Sequence, residues 1–348
     1  MTMRAAVLTG HGGPEVLQLR SDVPVPEPQA GHVLVRVTAA AVNNTDVWTR
    51  QGAYGAAGDP DAVAGWLGVP LEVPRIQGGD VAGHIVACGE GVSRARTGQR
   101  VVVDPALYDH EGPEAVVAGL LGSEQDGGFA QYVVVADQRA HDVSGSPLSD
   151  DQLACLPIAY GTAMGMLERA GVTAGETVCV TGASGGVGYA LVQLAAVRGA
   201  RVIALTSEGR QDAVARAGAD AVVLRTAPDV AGAVRDLAGS PVDCVADVVG
   251  GNLFPALLEV LRVGGRIVTA GAIAGPVVQL DLRRLYLHQR RLIGSTMHTP
   301  AHFAQLVELA RAGAVRPLVA QRYQLADIHR AQADFTEGSF VGKLVVIP

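Results

Sequence analysis

The chain has 348 residues, with 27 Lys plus Arg against 34 Asp plus Glu and a net charge of −7. At about 150 residues per domain, that length suggests two domains, and 49% apolar against 18% charged residues is enough for sizeable cores. The acidic balance is a poor match for nucleic acid or an anionic membrane.

In chain order, Met1 to Gly13 reaches a Gly-rich turn too early to hold a signal-peptide apolar region. Arg4 to Leu8 and Val16 to Leu19 read as short strands, Asp22 to Pro28 as a Pro-rich extended segment, and His32 to Thr38 as a strong strand. Val81 to Ala87 and Arg100 to Val103 add two more. Short strands between Gly and Pro turns suggest a small antiparallel barrel. Two long Gly/Pro/Ala-rich stretches, Ala53–Arg75 and Pro105–Gly128, interrupt it, and loops of that length usually cover a site. The pattern changes near Ser149. Thr177–Thr181, Arg201–Leu205, Ala221–Leu224, Val242–Val248 and Arg266–Ala270 are apolar strands that alternate with helices at Val187–Arg198, Arg210–Ala217, Asp229–Leu237 and Leu253–Leu261. That alternation indicates a parallel sheet covered on both faces. The most apolar region, Val178 to Leu205, is broken by five glycines and two arginines, so no membrane span is expected. A helix at Ala301–Ala312 and a last strand at Lys343–Ile347 close the chain. The four cysteines, Cys88, Cys155, Cys179 and Cys244, form no C-x-x-C, which excludes a disulfide scaffold and a Cys-rich zinc module. The expectation is a cytoplasmic protein.

The sharpest local signal is Thr181-Gly-Ala-Ser-Gly-Gly-Val-Gly188, after a strand and opening a helix. Glycines let the backbone approach a pyrophosphate, and the amides at a helix start hold the anion. Ser184, Gly185, Gly186, Val187 and Gly188 are the candidate cradle. After the second strand, where an acidic residue would select NAD, the chain has Thr206 and Ser207, with Arg210 close behind. Hydroxyls plus a cation suit a 2′-phosphate, so NADP(H) is expected; Glu208 is the discordant residue. Arg225, ending the third strand, is a surface charge or a further contact to adenine or the phosphate.

These residues, with Gly79-Asp-Val-Ala-Gly83, Gly98-Gln-Arg100, Gly127-Gly-Phe-Ala-Gln-Tyr132, Asp247-Val-Val-Gly-Gly251, Gly264-Gly-Arg266 and Gly342-Lys-Leu344, resemble the medium-chain dehydrogenase/reductase superfamily along the whole chain, specifically its zinc-free quinone oxidoreductase-like branch. The resemblance implies an α/β architecture: a GroES-like β-barrel catalytic domain from both chain ends (1–148 and 290–348) and a Rossmann doubly wound parallel-sheet domain between them (149–289). It also implies an active site in the cleft and a homodimer. In zinc-dependent relatives a Cys stands at the position of Asn43, a Gly-His-Glu where this chain has Gly78 or Gly79 followed by Asp80, and a third ligand near Ile158, so no metal is expected here. Asp80, His84 and Cys88 share one strand face at four-residue spacing, but four strand residues span about 13 Å, too far for one ion to reach even two of these side chains.

Without a metal, hydride addition to a simple ketone leaves a strongly basic alkoxide, whereas a quinone or α,β-unsaturated carbonyl (enone or enal) spreads the charge. Asn43-x-x-Asp46-x-x-x-Arg50-x-Gly52-x-Tyr54 is similar to the quinone-reductase signature, which implies that Asn43 and Tyr54 face nicotinamide and substrate. Asn43 would donate its amide N–H to the acceptor oxygen, or else bind turn backbone; Tyr54 would donate its phenol, or anchor its loop. Asp46 and Arg50 would orient the segment. The resemblance further implies Thr162 near the nicotinamide, Gly271, Ala272 and Ile273 at its carboxamide, and Lys343 at the cofactor or as a strand-edge charge. The reading is an NADPH-dependent, zinc-independent reductase of quinones or enones. The alternatives are a metal-free NADP-dependent alcohol or aldehyde dehydrogenase and a redox-inactive NADPH-binding structural protein.

Overall fold

A computed structural model describes residues 1–55, 63–113 and 115–348. The chain forms two compact units, Met1–Ile158 with Thr299–Pro348, and Ala159–His298. The elements that carry the candidate site in the first unit begin with His32–Ala41 (β1), Asn44–Gln51 (α1) and Asp80–Cys88 (β2). The second unit contributes Thr177–Val180 (β3), Gly186–Val197 (α2), Arg201–Thr206 (β4), Ala221–Leu224 (β5), Val242–Asp247 (β6), Leu261–Thr269 (β7) and Arg291–Gly294 (β8). Lys343–Ile347 (β9) ends the chain in the first unit.

In the first unit β1 lies centrally in a seven-stranded sheet, between β2 and β9. Val33, Val35 and Val37 project into a core shared with Val81, Ile85, Leu344 and Val346, while Arg36, on the opposite side of the strand, is exposed. Register fixes the site. Ala41 pairs with Asp80 on one side, and Val345 with Ala41 and Val346 with Ala40 on the other. Continuing that antiparallel count past the end of β1 brings Lys343 opposite Asn43. Helix α1 starts there because Asn43 is extended (φ −131°, ψ 161°) and ends at Gly52, which is left-handed (φ +71°). Sequence reasoning had not marked this helix. A side chain at Gly52 would also strike Val63, its Cβ 2.2 Å from Cγ1.

In the second unit β5-β4-β3-β6-β7-β8 form an all-parallel sheet in that order. Val202 to Leu205 are buried on both faces, as the continuous apolar run requires. The connection after β6 departs from the expected Leu253–Leu261 helix: the helix covers Phe254–Glu259, and Leu261 already belongs to β7.

Candidate active site

A buried polar cluster occupies the end of β1. Asn43, Asp46, Asp80 and Lys343 are each at most 6% exposed. The Asn43 side-chain amide donates to the Asp80 carboxylate (2.8 Å) and to the Ala41 carbonyl (3.2 Å). Its oxygen accepts from the Lys343 ammonium, which also donates to the Val42 carbonyl (2.9 Å) and lies 3.0 Å from Asp80 Oδ2. The other Asp80 oxygen accepts the Ile158 backbone N–H at 2.7 Å. The Asp46 carboxylate accepts the Asn43 backbone N–H at 2.8 Å, satisfying an N–H just ahead of α1, and the Gln77 amide donates to the Asp46 carbonyl at 2.9 Å. Arg50 anchors the far end of α1 through the Gln332 side chain (2.9 Å) and the Gly12 carbonyl (3.0 Å).

This geometry revises two expectations. Both amide hydrogens of Asn43 are committed within the protein, so it has none for an acceptor carbonyl. Its orientation follows from chemistry: an ammonium only donates, so the amide oxygen must face it. Lys343 likewise spends its three donors on Val42, Asn43 and Asp80 and is 3% exposed. It sits on an internal strand of the sheet and is not a strand-edge charge.

The electrostatics separate the remaining groups. Burial, with Asp80 nearby, pushes the Asp46 carboxyl up to about 7, against hydrogen bonds from the Asn43 and Gly79 backbones and the Lys343 charge. Burial holds the Tyr54 phenol at about 12, so near neutrality it is a hydrogen-bond donor. Its ring packs edge-on against Trp48 at 5.5 Å. Burial also pushes the Cys155 thiol up, and its S–H reaches the Asp151 carbonyl at 3.1 Å; it is not an activated nucleophile. Tyr108, in the second long loop, donates to Asp104 at 2.6 Å. Residues 56–62 of the first long loop lie outside the described residues, as does Glu114.

In the second unit the glycine turn joins β3 to α2. Gly182 is left-handed (φ +59°), and a Cβ on Gly188 would sit 2.1 Å from the Gly182 carbonyl oxygen, so only glycine lets the helix start close on the turn. Gly185 is exposed, Gly186 and Val187 are half-buried, and the first amides of α2 have no acceptor within their own helix. At the end of β4 the Thr206 hydroxyl is buried with no hydrogen-bond partner, and Arg210 reaches back to the Ser184 hydroxyl at 3.3 Å. The Arg225 N–H donates to the Thr206 carbonyl (2.9 Å), which brings its chain position beside β4; the residue is exposed. Asp247 organises the next turn, accepting from the Thr181 hydroxyl at 2.6 Å and from the Val249 and Gly250 backbones. Gly271, Ala272 and Ile273 follow β7, with Ile273 69% exposed. Thr162 is buried, its hydroxyl 3.6 Å from the Met297 sulfur. An open amide cradle, an orphaned buried hydroxyl and a neighbouring guanidinium, all at the carboxyl ends of parallel strands, fit a phosphate-bearing dinucleotide.

Residues 29–145 match the alcohol dehydrogenase GroES-like domain, and residues 186–312 match the zinc-binding dehydrogenase family. Human quinone oxidoreductase is 30% identical over 99% of this chain and 98% of its own length. The chain belongs to the medium-chain dehydrogenase/reductase superfamily. Among solved members of the superfamily, a Sinorhizobium meliloti 1021 protein with a provisional alcohol dehydrogenase designation is 52% identical, with a TM-score of 0.96 over 100% of this chain and 97% of that one. A cobalt- and zinc-bound alcohol dehydrogenase from Pyrobaculum aerophilum is 34% identical, with a TM-score of 0.85 over all of both chains. This medium-chain dehydrogenase/reductase has the superfamily's GroES-like and parallel-sheet parts and is an oxidoreductase with a small-molecule substrate. No helix among the described residues is long and apolar enough to cross a membrane.

The positions at which zinc-dependent members carry their ligands do come together. Asn43 and Ile158 share Asp80, and a Cβ on Gly79 would lie 2.6 Å from Ile158 Cδ1. Their chemistry does not fit the ion: an amide, no side chain, and an aliphatic group that fills the space a histidine would need. Among the described residues no three His, Cys, Asp or Glu side chains are placed to share a metal.

Proposed function

We propose that this protein is an NADPH-dependent, zinc-independent reductase of quinones or α,β-unsaturated carbonyls. The observation that carries the reading is the set of groups at Asn43, Gly79 and Ile158, which offers no ligand for a Lewis acid, while Asn43 and the neighbouring Asp80 hold an ammonium instead. Without such an acid, the reduced acceptor must disperse its own negative charge, as an enolate or hydroquinone anion does.

Ser184, the close approach allowed at Gly185, and the amides of Gly186, Val187 and Gly188 would hold the pyrophosphate. Thr206, Ser207, Arg210 and Arg225 would take the 2′-phosphate, Thr162 would border the nicotinamide, and Gly271 to Ile273 would hold its carboxamide. When bound, NADPH supplies the hydride. Tyr54, protonated across the neutral range, donates its O–H to the acceptor oxygen as charge builds there. Asn43 holds the start of α1, which leads to Tyr54. A homodimer is part of this reading: β8 ends the parallel sheet, and Leu292, Leu287 and Tyr286 beside it are exposed, a face for a second copy; a monomer by light scattering would contradict it.

A metal-free alcohol dehydrogenase is the second reading. It is favoured by the names carried by similar proteins and by Asp46, whose titration near 7 suits accepting a proton. The experiment is NADPH oxidation with a panel of quinones, enones and saturated ketones, set beside alcohol oxidation with NADP⁺. Turnover of conjugated acceptors alone is expected; efficient alcohol oxidation would transfer the assignment to the second reading.

A further inference from the structure

We infer that Lys343 is a positioning residue: its ammonium is the fixed cation of this site, holding Asn43 and Asp80 where zinc-dependent members of the superfamily would use a metal. The hydrogen-bond accounting is complete. An ammonium has three donors, and three oxygens meet it: the Val42 carbonyl, the Asn43 amide oxygen and Asp80 Oδ2. Asp80 is 0% exposed and Lys343 is 3% exposed, so removing the cation would leave a buried carboxylate and two buried acceptors without their donor.

The consequence reaches beyond the ion pair. The cation works with two acceptors, the Asp80 carboxylate and the Ala41 carbonyl, to dictate which way the Asn43 amide points. With the amide oxygen held by Lys343, its N–H groups are directed to Asp80 and Ala41. That fixes the residue in the extended conformation from which α1 starts. At the other end of α1 the Ala53 N–H bonds the Trp48 carbonyl at 2.9 Å, and Trp48 packs against Tyr54. Lys343 is far from Asn43 in sequence but opposite it in register, so β9 sets the helix that leads to Tyr54.

The kinetic arm of the test rests on the proposed acceptor chemistry; the exchange arm does not. Lys343→Ala deletes the atoms of propylammonium, which is the probe. In the variant, kcat for an enone or quinone is expected to fall about 10²-fold, with the Kd for NADPH within about threefold of wild type. Deuterium uptake over residues 42–54 is expected to rise. Propylammonium should restore part of kcat and slow that uptake, and propanol should do neither. Lys343→Arg keeps the charge and serves if the alanine variant does not fold; it should keep the wild-type uptake over residues 42–54 while NADPH binding is unchanged. An NADPH Kd that weakens by the same factor as kcat would make Lys343 a cofactor ligand and overturn the inference. So would wild-type kcat and uptake in Lys343→Ala, or indifference of both to the amine. Should the wild-type protein reduce no acceptor, the functional reading fails, and the uptake comparison still decides the role of Lys343.

Discussion

At Tyr54 the chemistry reduces to one hydroxyl. In the function proposed above, with the Asn43 donors committed, Tyr54 stabilises the acceptor oxygen. Tyr54→Phe keeps the ring against Trp48 and removes only that donor. Its kcat is expected to fall about 10²-fold, as for loss of one oxyanion donor, with NADPH affinity unchanged by fluorescence titration; an unaltered kcat would remove Tyr54 from the mechanism. Asp46 makes a separate prediction. Its carboxyl is raised from 3.8 to about 7 in the folded protein, so between those values the folded state binds more protons than the unfolded one. Its contribution to stability therefore declines as pH rises through that window. Asp46→Asn should flatten the difference, measured as urea midpoints against pH for both proteins; identical slopes would contradict it. The candidate residues at these positions were legible in the sequence, but their roles were not. The spacing of Asn43, Asp46 and Tyr54 marked the segment, yet nothing local in the sequence pairs Asn43 with a lysine at the other end of the chain.

At the scale of elements, the parallel sheet was readable because its strands are continuous apolar runs punctuated by glycine turns, and the cradle lies where the β3-to-α2 turn was expected. Helix α1 was missed because Asn44–Gln51 is mostly polar. It forms through its Asn43 and Gly52 ends, with Asp46, Val47, Thr49 and Arg50 buried against tertiary partners. The ends of β3 and β4 carry the cofactor prediction. The buried, unpartnered Thr206 hydroxyl and the Arg210 guanidinium near Ser184 suit a phosphate. Wild-type protein should bind NADPH more tightly than NADH. Arg210→Ala should weaken NADPH by about tenfold, in the range of one charge-assisted contact, and leave NADH nearly unchanged. Equal losses for both cofactors by calorimetry would remove Arg210 from the 2′-phosphate site.

For the whole molecule, the decisive feature is the pairing of β9 with β1. Strand β9 returns from the far terminus to pair with β1, and that pairing gives the site an internal cation. The same fold elsewhere in the superfamily accommodates a bound metal, so the architecture does not choose the chemistry; the side chains at Asn43, Gly79, Asp80, Ile158 and Lys343 do. The most direct measurement is a matched pair of substrates, an enone and its saturated ketone, assayed with NADPH on protein whose zinc content has been determined. The chain described here should reduce the enone with far less than one zinc per chain, resist chelators and leave the saturated ketone untouched. Stoichiometric zinc with chelator-sensitive reduction of the saturated ketone would contradict it.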